Sequence, residues 1–153
     1  MQKAGNSFIS STFWTERIGF AAGIGTLKIM KEKKSWETIV KNGKYFNLMI
    51  RNLALKHDLN LNISGIESIA AFNFISKKNI AYKTFITQEM LKKGILASTS
   101  FYASIAHSDD EFSVYFDVLN DIFMKISKCQ IGEANIFDFL EGPVSHSGFK
   151  RLN

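Results

Sequence analysis

The chain has 153 residues, 46% of them hydrophobic, which is enough apolar side chain to bury one core and argues against more than two domains. Its formal charge of +5 permits an anionic partner without demanding one. The basic residues are spread along the chain, and no stretch reaches the roughly 18 apolar residues needed to span a bilayer, so neither nucleic acid nor a membrane is the expected partner. The single Cys129 cannot form an internal disulfide, and no paired Cys/His spacing points to a metal site, which together favour a reducing, cytoplasmic setting.

The opening segment holds Gly5, Asn6 and hydroxyls at Ser7, Ser10, Ser11, Thr12 and Thr15, and is expected as loop or short strand. Its aromatics Phe8, Phe13 and Trp14 need a surface to cover them. From about Glu16 the apolar positions Ile18, Ala21, Ala22, Leu27 and Met30 follow a helical period, with Thr15 as cap and Glu16 in the first turn. Gly19, Gly23 and Gly25 weaken this helix, so it is expected to pack closely on another backbone. Gly23-Ile24-Gly25 lacks the preceding strand and third glycine of a dinucleotide-binding turn. Lys31, Lys33 and Lys34 fit a helix C-terminus, where cations complement the macrodipole.

Ser35 is the expected cap of a second helix that starts at Trp36, carries Ile39, Val40, Phe46, Met49, Ile50 and Leu53 on one face, and ends near His57 and Asp58. Then Leu59, Leu61 and Ile63 alternate with polar residues, the period of a half-buried strand stopped by Gly65, and a second strand follows over about 69–75. Asn79 is the expected cap of a third helix bearing Tyr82, Phe85, Ile86, Met90 and Leu91, closed by Gly94, and Ile95-Leu96-Ala97 reads as a short strand. Ser108 begins a fourth helix with Asp109, Asp110 and Glu111 in its first turn and Phe112, Tyr115, Phe116, Leu119, Ile122 and Phe123 inward. After Lys128 the periodicity fades toward an extended arm. The expected fold class is α+β, a small sheet covered by helices mainly on one face.

No self-sufficient active site is visible. His57, His107 and His146 are far apart and lie in no metal or nucleophile motif, and Asp109-Asp110-Glu111 is explained by the helix start, so the expected metal ligands are none.

Three segments carry a resemblance. Phe8-Ile9-Ser10-Ser11-Thr12-Phe13-Trp14-Thr15-Glu16-Arg17-Ile18-Gly19, then Gln88-Glu89-Met90-Leu91-Lys92-Lys93-Gly94-Ile95-Leu96, then Ser104-Ile105-Ala106-His107-Ser108 resemble, in order, the last third of class III aminotransferases of the glutamate-1-semialdehyde aminomutase type. Membership would imply the small C-terminal domain of a fold type I enzyme dependent on pyridoxal 5′-phosphate (PLP). The organisation would be an interface and cofactor-phosphate segment over residues 1–15, the small domain over 16–128 and a C-terminal extension over 129–153.

The resemblance implies that Thr12, flanked by Ser11, gives a hydroxyl to the PLP phosphate held by a homodimer partner, a role suited to a short, stiff donor. The family's Schiff-base lysine comes a strand and a loop earlier. Lys3 is too close to Thr12 to fill that place, so the expected catalytic residues are none and the chain by itself should not transaminate. The partners implied are the missing large PLP-binding domain, a second subunit, a small-molecule amino donor and a carbonyl acceptor.

The loop Ser98-Thr99-Ser100-Phe101-Tyr102-Ala103 departs from the family. It has neither the glutamate of true aminomutases nor the arginine that some class III members use for a substrate carboxylate. Together with the ending from Gly142 to Asn153, it is more similar to members associated with surface-polysaccharide or amino-sugar biosynthesis. Ser98, Ser100 and Tyr102 are the candidates for a hydroxylated substrate. Two alternatives stay open: a non-catalytic dimerisation or binding module derived from the same domain, and a basic nucleic-acid-binding domain that rests on charge alone.

Overall fold

A computed structural model describes residues 16–146. The chain divides into two compact units, Met1–Trp36 and Glu37–Asn153. In the first lies α1 (Ile18–Lys33). It begins two residues later than the periodicity suggests: Arg17 is the N-cap, no side chain caps it, and Glu16 falls outside the first turn, while Thr15 lies outside the described residues. None of its residues is buried. Among the described residues nothing comes within 4 Å of a Cβ built on Gly19, Gly23 or Gly25, so the close backbone expected there is not supplied by this part of the chain. The helix ends at Lys34, which adopts a left-handed conformation (φ 46°) and donates its N–H to the Lys31 and Met30 carbonyls.

The second helix, α2 (Ser35–Lys56), takes Ser35 into its first turn, where the buried hydroxyl has no hydrogen-bond partner among the described residues instead of capping. Its inward face is Phe46, Ile50, Leu53 and Ala54, whereas Val40, expected on that face, is exposed. Gly43 is buried, and a Cβ there would sit 1.6 Å from the Glu67 carbonyl oxygen. Only glycine lets α2 approach the following hairpin turn so closely.

That hairpin joins β1 (Leu61–Ile66) to β2 (Ile69–Phe74), antiparallel, with Ile66 opposite Ile69. Leu61 and Ile63 of β1 and Ala70, Phe72 and Phe74 of β2 turn inward. Gly65 does not stop the strand. It stands opposite Ala70 with φ 93°, a conformation other residues rarely adopt, and a Cβ there would lie 2.2 Å from the Ile69 oxygen.

Helix α3 (Asn79–Lys92) buries Ala81, Tyr82, Phe85, Ile86 and Met90, but Leu91 points out. Asn79 is its first residue and not its cap; its side-chain oxygen accepts from the Phe74 N–H at 2.9 Å and so holds the end of β2. The helix closes as expected at Gly94 (φ 74°), whose N–H donates to Leu91 while that of Ile95 donates to Met90, satisfying two terminal carbonyls. Residues 95–97 form no strand: Ile95 and Ala97 pack on the core from an irregular segment. The third strand comes later, as β3 (Ser100–Tyr102), antiparallel to β2 in the order β1-β2-β3.

Helix α4 (Asp109–Gln130) starts in a capping box, in which Ser108 and Glu111 reciprocally satisfy backbone donors. It sends Phe112, Phe116, Leu119, Ile122, Phe123, Ile126 and Cys129 into the core. Aromatic contacts lock the layers: Phe46 stacks on Phe101 at 4.1 Å, Phe74 meets Tyr82 and Phe123 edge-on, and Phe72 meets Phe123. The three helices of this unit thus cover one face of the sheet, the α+β arrangement anticipated.

Past α4 a 3-10 turn (Ile136–Phe139) buries Ile136. Residues 141–146 have no helix or strand, yet they are tied down: the Glu141 N–H donates to Gln88, the Ser145 N–H donates to the Thr84 hydroxyl, and Val144 packs on the core. Residues 147–153 lie outside the description.

Candidate substrate cleft

A cleft of ≈ 640 Å³ opens where the end of α3, β3 and the start of α4 meet. Its apolar wall is Ile95, Leu96, Phe101, Phe112 and Val114, and its polar groups are Ser100, Tyr102, His107, Asp110, Glu111 and Tyr115. Of the three substrate candidates in the 98–103 loop, Ser100 and Tyr102 line it and Ser98 does not. Strand alternation would turn Ser100 and Tyr102 to the same face, and both are exposed while Phe101 between them is half-buried against Phe46. The candidate phosphate contacts Thr12 and Ser11 lie outside the described residues.

The loop 103–108 is held from two sides. The buried Asn42 of α2 donates its amide to the carbonyls of Ser104 (2.9 Å) and His107 (3.1 Å). The Ser104 N–H donates to Nδ1 of His107 at 3.1 Å, which makes Nδ1 an acceptor and leaves the ring proton on Nε2. The imidazole lies against Phe101, 4.9 Å between centroids, and Phe112. His107 is therefore held in a fixed orientation at the cleft. Nothing in its local sequence announces this, because Asn42 is far away along the chain.

The N-terminus of α4 forms one edge. Glu111 accepts from both the backbone and the hydroxyl of Ser108, and the Ser108 side-chain bond, followed by the backbone bonds, holds its carboxyl below the ordinary range. Asp110 carries no such bond among the described residues. Burial pushes the Tyr115 phenol up, so it stays protonated.

The other histidines stand elsewhere. His57 Nε2 pairs with Asn120 Oδ1 at 3.0 Å, and His146 is exposed in the tail. Among the described residues no group of three His, Cys, Asp or Glu could hold a metal. A shallower hollow of ≈ 360 Å³ near Ser76, Lys78, Tyr82 and Cys129 contains the buried thiol, whose pKa is raised by burial. No described helix is long and apolar enough to cross a membrane.

No protein-family profile matches the chain. It is similar to the glutamate-1-semialdehyde 2,1-aminomutase of Persephonella marina, 25% identical over 123 residues, covering 71% of this chain and 29% of that protein. It is also similar to the enzyme of the same name from Methanosphaera stadtmanae, 22% identical over 139 residues, covering 82% and 33%. Among solved structures it superposes on the FumI protein of Sphingopyxis sp. MTA144, determined as its PLP internal aldimine form, with TM-score 0.73 and 19% identity over 91% of this chain and 34% of that one. The chain therefore spans about a third of the length of these proteins. Its fold is found in part of a PLP-dependent protein.

Proposed function

We propose that this chain is the small domain of a PLP-dependent aminotransferase of the aminomutase-like class III type, working with a large domain and a second subunit. The observation that carries the reading is a fold shared over 91% of this chain with only 34% of a PLP-bearing protein. When bound, PLP supplies the electron sink for moving an amino group. In this reading the described part of the chain walls a cofactor site whose lysine belongs to the large domain. Thr12, with Ser11 beside it, is assigned to the phosphate of the cofactor in the opposite subunit. Ser100 and Tyr102 present hydroxyls to the substrate, and Ser98 supports their loop as a third candidate. The substrates are an amino donor and a carbonyl acceptor, in a cytoplasmic pathway of surface-polysaccharide or amino-sugar synthesis.

A second reading draws on α1, whose Ile18, Phe20, Ile24 and Leu27 are all exposed. An apolar helix of that kind would also serve a non-catalytic dimerisation module. The coding sequence upstream of Met1 separates the two, since an in-frame large domain with its lysine belongs only to the first.

Thr12→Val tests the residue assignment in the protein assembled with its large domain. The change keeps the shape and removes one donor to a dianion, a loss of about 1.5–3 kcal/mol, or about ten- to a hundred-fold in PLP affinity. The chemical step at saturating PLP should fall far less. Unchanged affinity in a titration would show that Thr12 is not the phosphate ligand.

A further inference from the structure

Strand β3 has one paired edge and one open edge, and the open one faces the cleft. The Phe72 N–H donates to the Thr99 carbonyl and the Ala103 N–H to the Ser68 carbonyl, both at 2.9 Å, in the register that sets Phe101 opposite Ala70. Along an antiparallel pair, residues that exchange hydrogen bonds alternate with residues that do not. Thr99, Phe101 and Ala103 therefore turn their backbone groups toward β2, and Ser100 and Tyr102 turn theirs away from it. Neither the N–H nor the C=O of these two residues has a partner among the described residues. Both residues line the cleft, to which β1 and β2 contribute nothing, so it lies along the edge of β3 opposite β2.

Those groups have a specific complement. Two N–H and two C=O groups, spaced two residues or roughly 6.6 Å apart, match the backbone of another extended chain. Exposed edges are ordinarily blunted by proline or charge, yet residues 94–107 contain no proline, lysine, arginine, aspartate or glutamate. Beyond the edge, Leu96 is 93% exposed and Val114 55%, an apolar seat for a side chain of the incoming segment. A cleft of ≈ 640 Å³, walled also by residues 94–97 and the first turns of α4, has room for a single extended segment. A second copy pairing edge to edge would need that edge unobstructed. Side chains stand roughly perpendicular to a sheet, so the hydroxyls of Ser100 and Tyr102 stay free for substrate while their backbone is engaged.

We propose that a segment of the large domain adds to β3 as a fourth strand, hydrogen-bonded to the N–H and C=O of Ser100 and Tyr102, with an apolar side chain against Leu96 and Val114. The choice of occupant rests on the small-domain reading above, in which most of the protein stands outside this chain. The open edge itself does not.

Hydrogen–deuterium exchange read residue by residue tests this, on the 153-residue chain and on the chain joined to a large domain that carries the family's lysine. In the isolated chain the Phe101 amide, paired with Ala70, should be protected, and those of Ser100 and Tyr102 should exchange as open amides do. In the joined protein both should slow by at least about ten-fold, the mark of a bond that must open before exchange. Tyr102→Pro removes one donor at a strand edge, where proline is tolerated, so the isolated chain should keep its thermal midpoint and the joined protein should lose the added protection at Ser100. Equal exchange of Ser100 and Tyr102 in the two forms, protection of both already in the isolated chain, or added protection at Ser100 that survives Tyr102→Pro would each overturn the proposal. PLP uptake by the joined protein, followed by absorbance, separates the two readings. A protein that takes up PLP with the edge still open loses only the fourth strand, and one that gains the protection without taking up PLP loses only the aminotransferase reading.

Discussion

At the scale of single residues, the positions that matter most for shape are those whose partners lie far along the chain. Gly43 falls in the middle of a good helical pattern, where glycine costs roughly 1 kcal/mol relative to alanine, and no neighbour in sequence explains it. The explanation is the Glu67 carbonyl, against which any Cβ would collide. Gly43→Ala should therefore destabilise the chain by about 3 kcal/mol, the upper end of overpacking costs, because backbone cannot yield as a side-chain tip would. Urea denaturation measures this; a neutral or stabilising result would mean that α2 does not seat on the hairpin turn. Asn42, one residue earlier, was equally silent, since its two carbonyl acceptors are in the 103–108 loop. By contrast Gly94 was legible, because a C-terminal glycine after a helical run has a local cause.

Elements with local signals came through best. The order of helices and strands follows from apolar periodicity, and α4 begins where Ser108 and its acidic first turn indicate. Removing the hydroxyl in Ser108→Ala should cost about 1 kcal/mol, read as a lowered thermal midpoint, and no loss would mean the box does not hold the helix start. Less legible were short segments whose state is set by neighbours. Ile95-Leu96-Ala97 has strand-like composition, but the closing turn of α3 ties Ile95 back to Met90, and β2 finds its partner five residues on at Ser100.

The join of α3, α4 and the tail is an ion cluster in which Lys92 meets Glu89 and Glu141, each at 2.7 Å, and Lys125 meets Glu89 at 3.6 Å. Burial works against ionisation of Glu89, yet hydrogen bonds from Lys92 and Gln88 and the two lysine charges outweigh it, leaving its pKa below the ordinary 4.5. A carboxyl with a depressed folded pKa contributes stability that is present above its unfolded value and is lost as pH falls through the folded one. Unfolding free energy measured from pH 6 down to pH 3 should therefore drop more steeply for the parent than for Glu89→Gln. Parallel curves would mean the cluster contributes nothing.

For the whole molecule, the described residues make one aromatic core in residues 37–146 and a separate apolar helix, α1, with no buried residue. The glycines of that helix suggested close packing in the sequence, and the described part of the chain does not provide it. The chain spans about a third of the length of the proteins it is similar to. The cleft was half legible: Ser100 and Tyr102 stood out as hydroxyls in a family-like loop, whereas His107 depended on Asn42 and Ser104, and the position of Ser98 relative to the cleft depended on where β3 begins.

The central claim is that the chain borders a PLP site and does not form one. Incubation with PLP, borohydride reduction and peptide mass spectrometry test it directly, on the isolated chain and on the chain joined to a large domain that carries the family's lysine. The account predicts no stoichiometric adduct at any one lysine of the isolated chain, and one adduct in the joined protein, at the lysine of the large domain. A stoichiometric adduct at a single lysine of the isolated chain, Lys3 included, would contradict it.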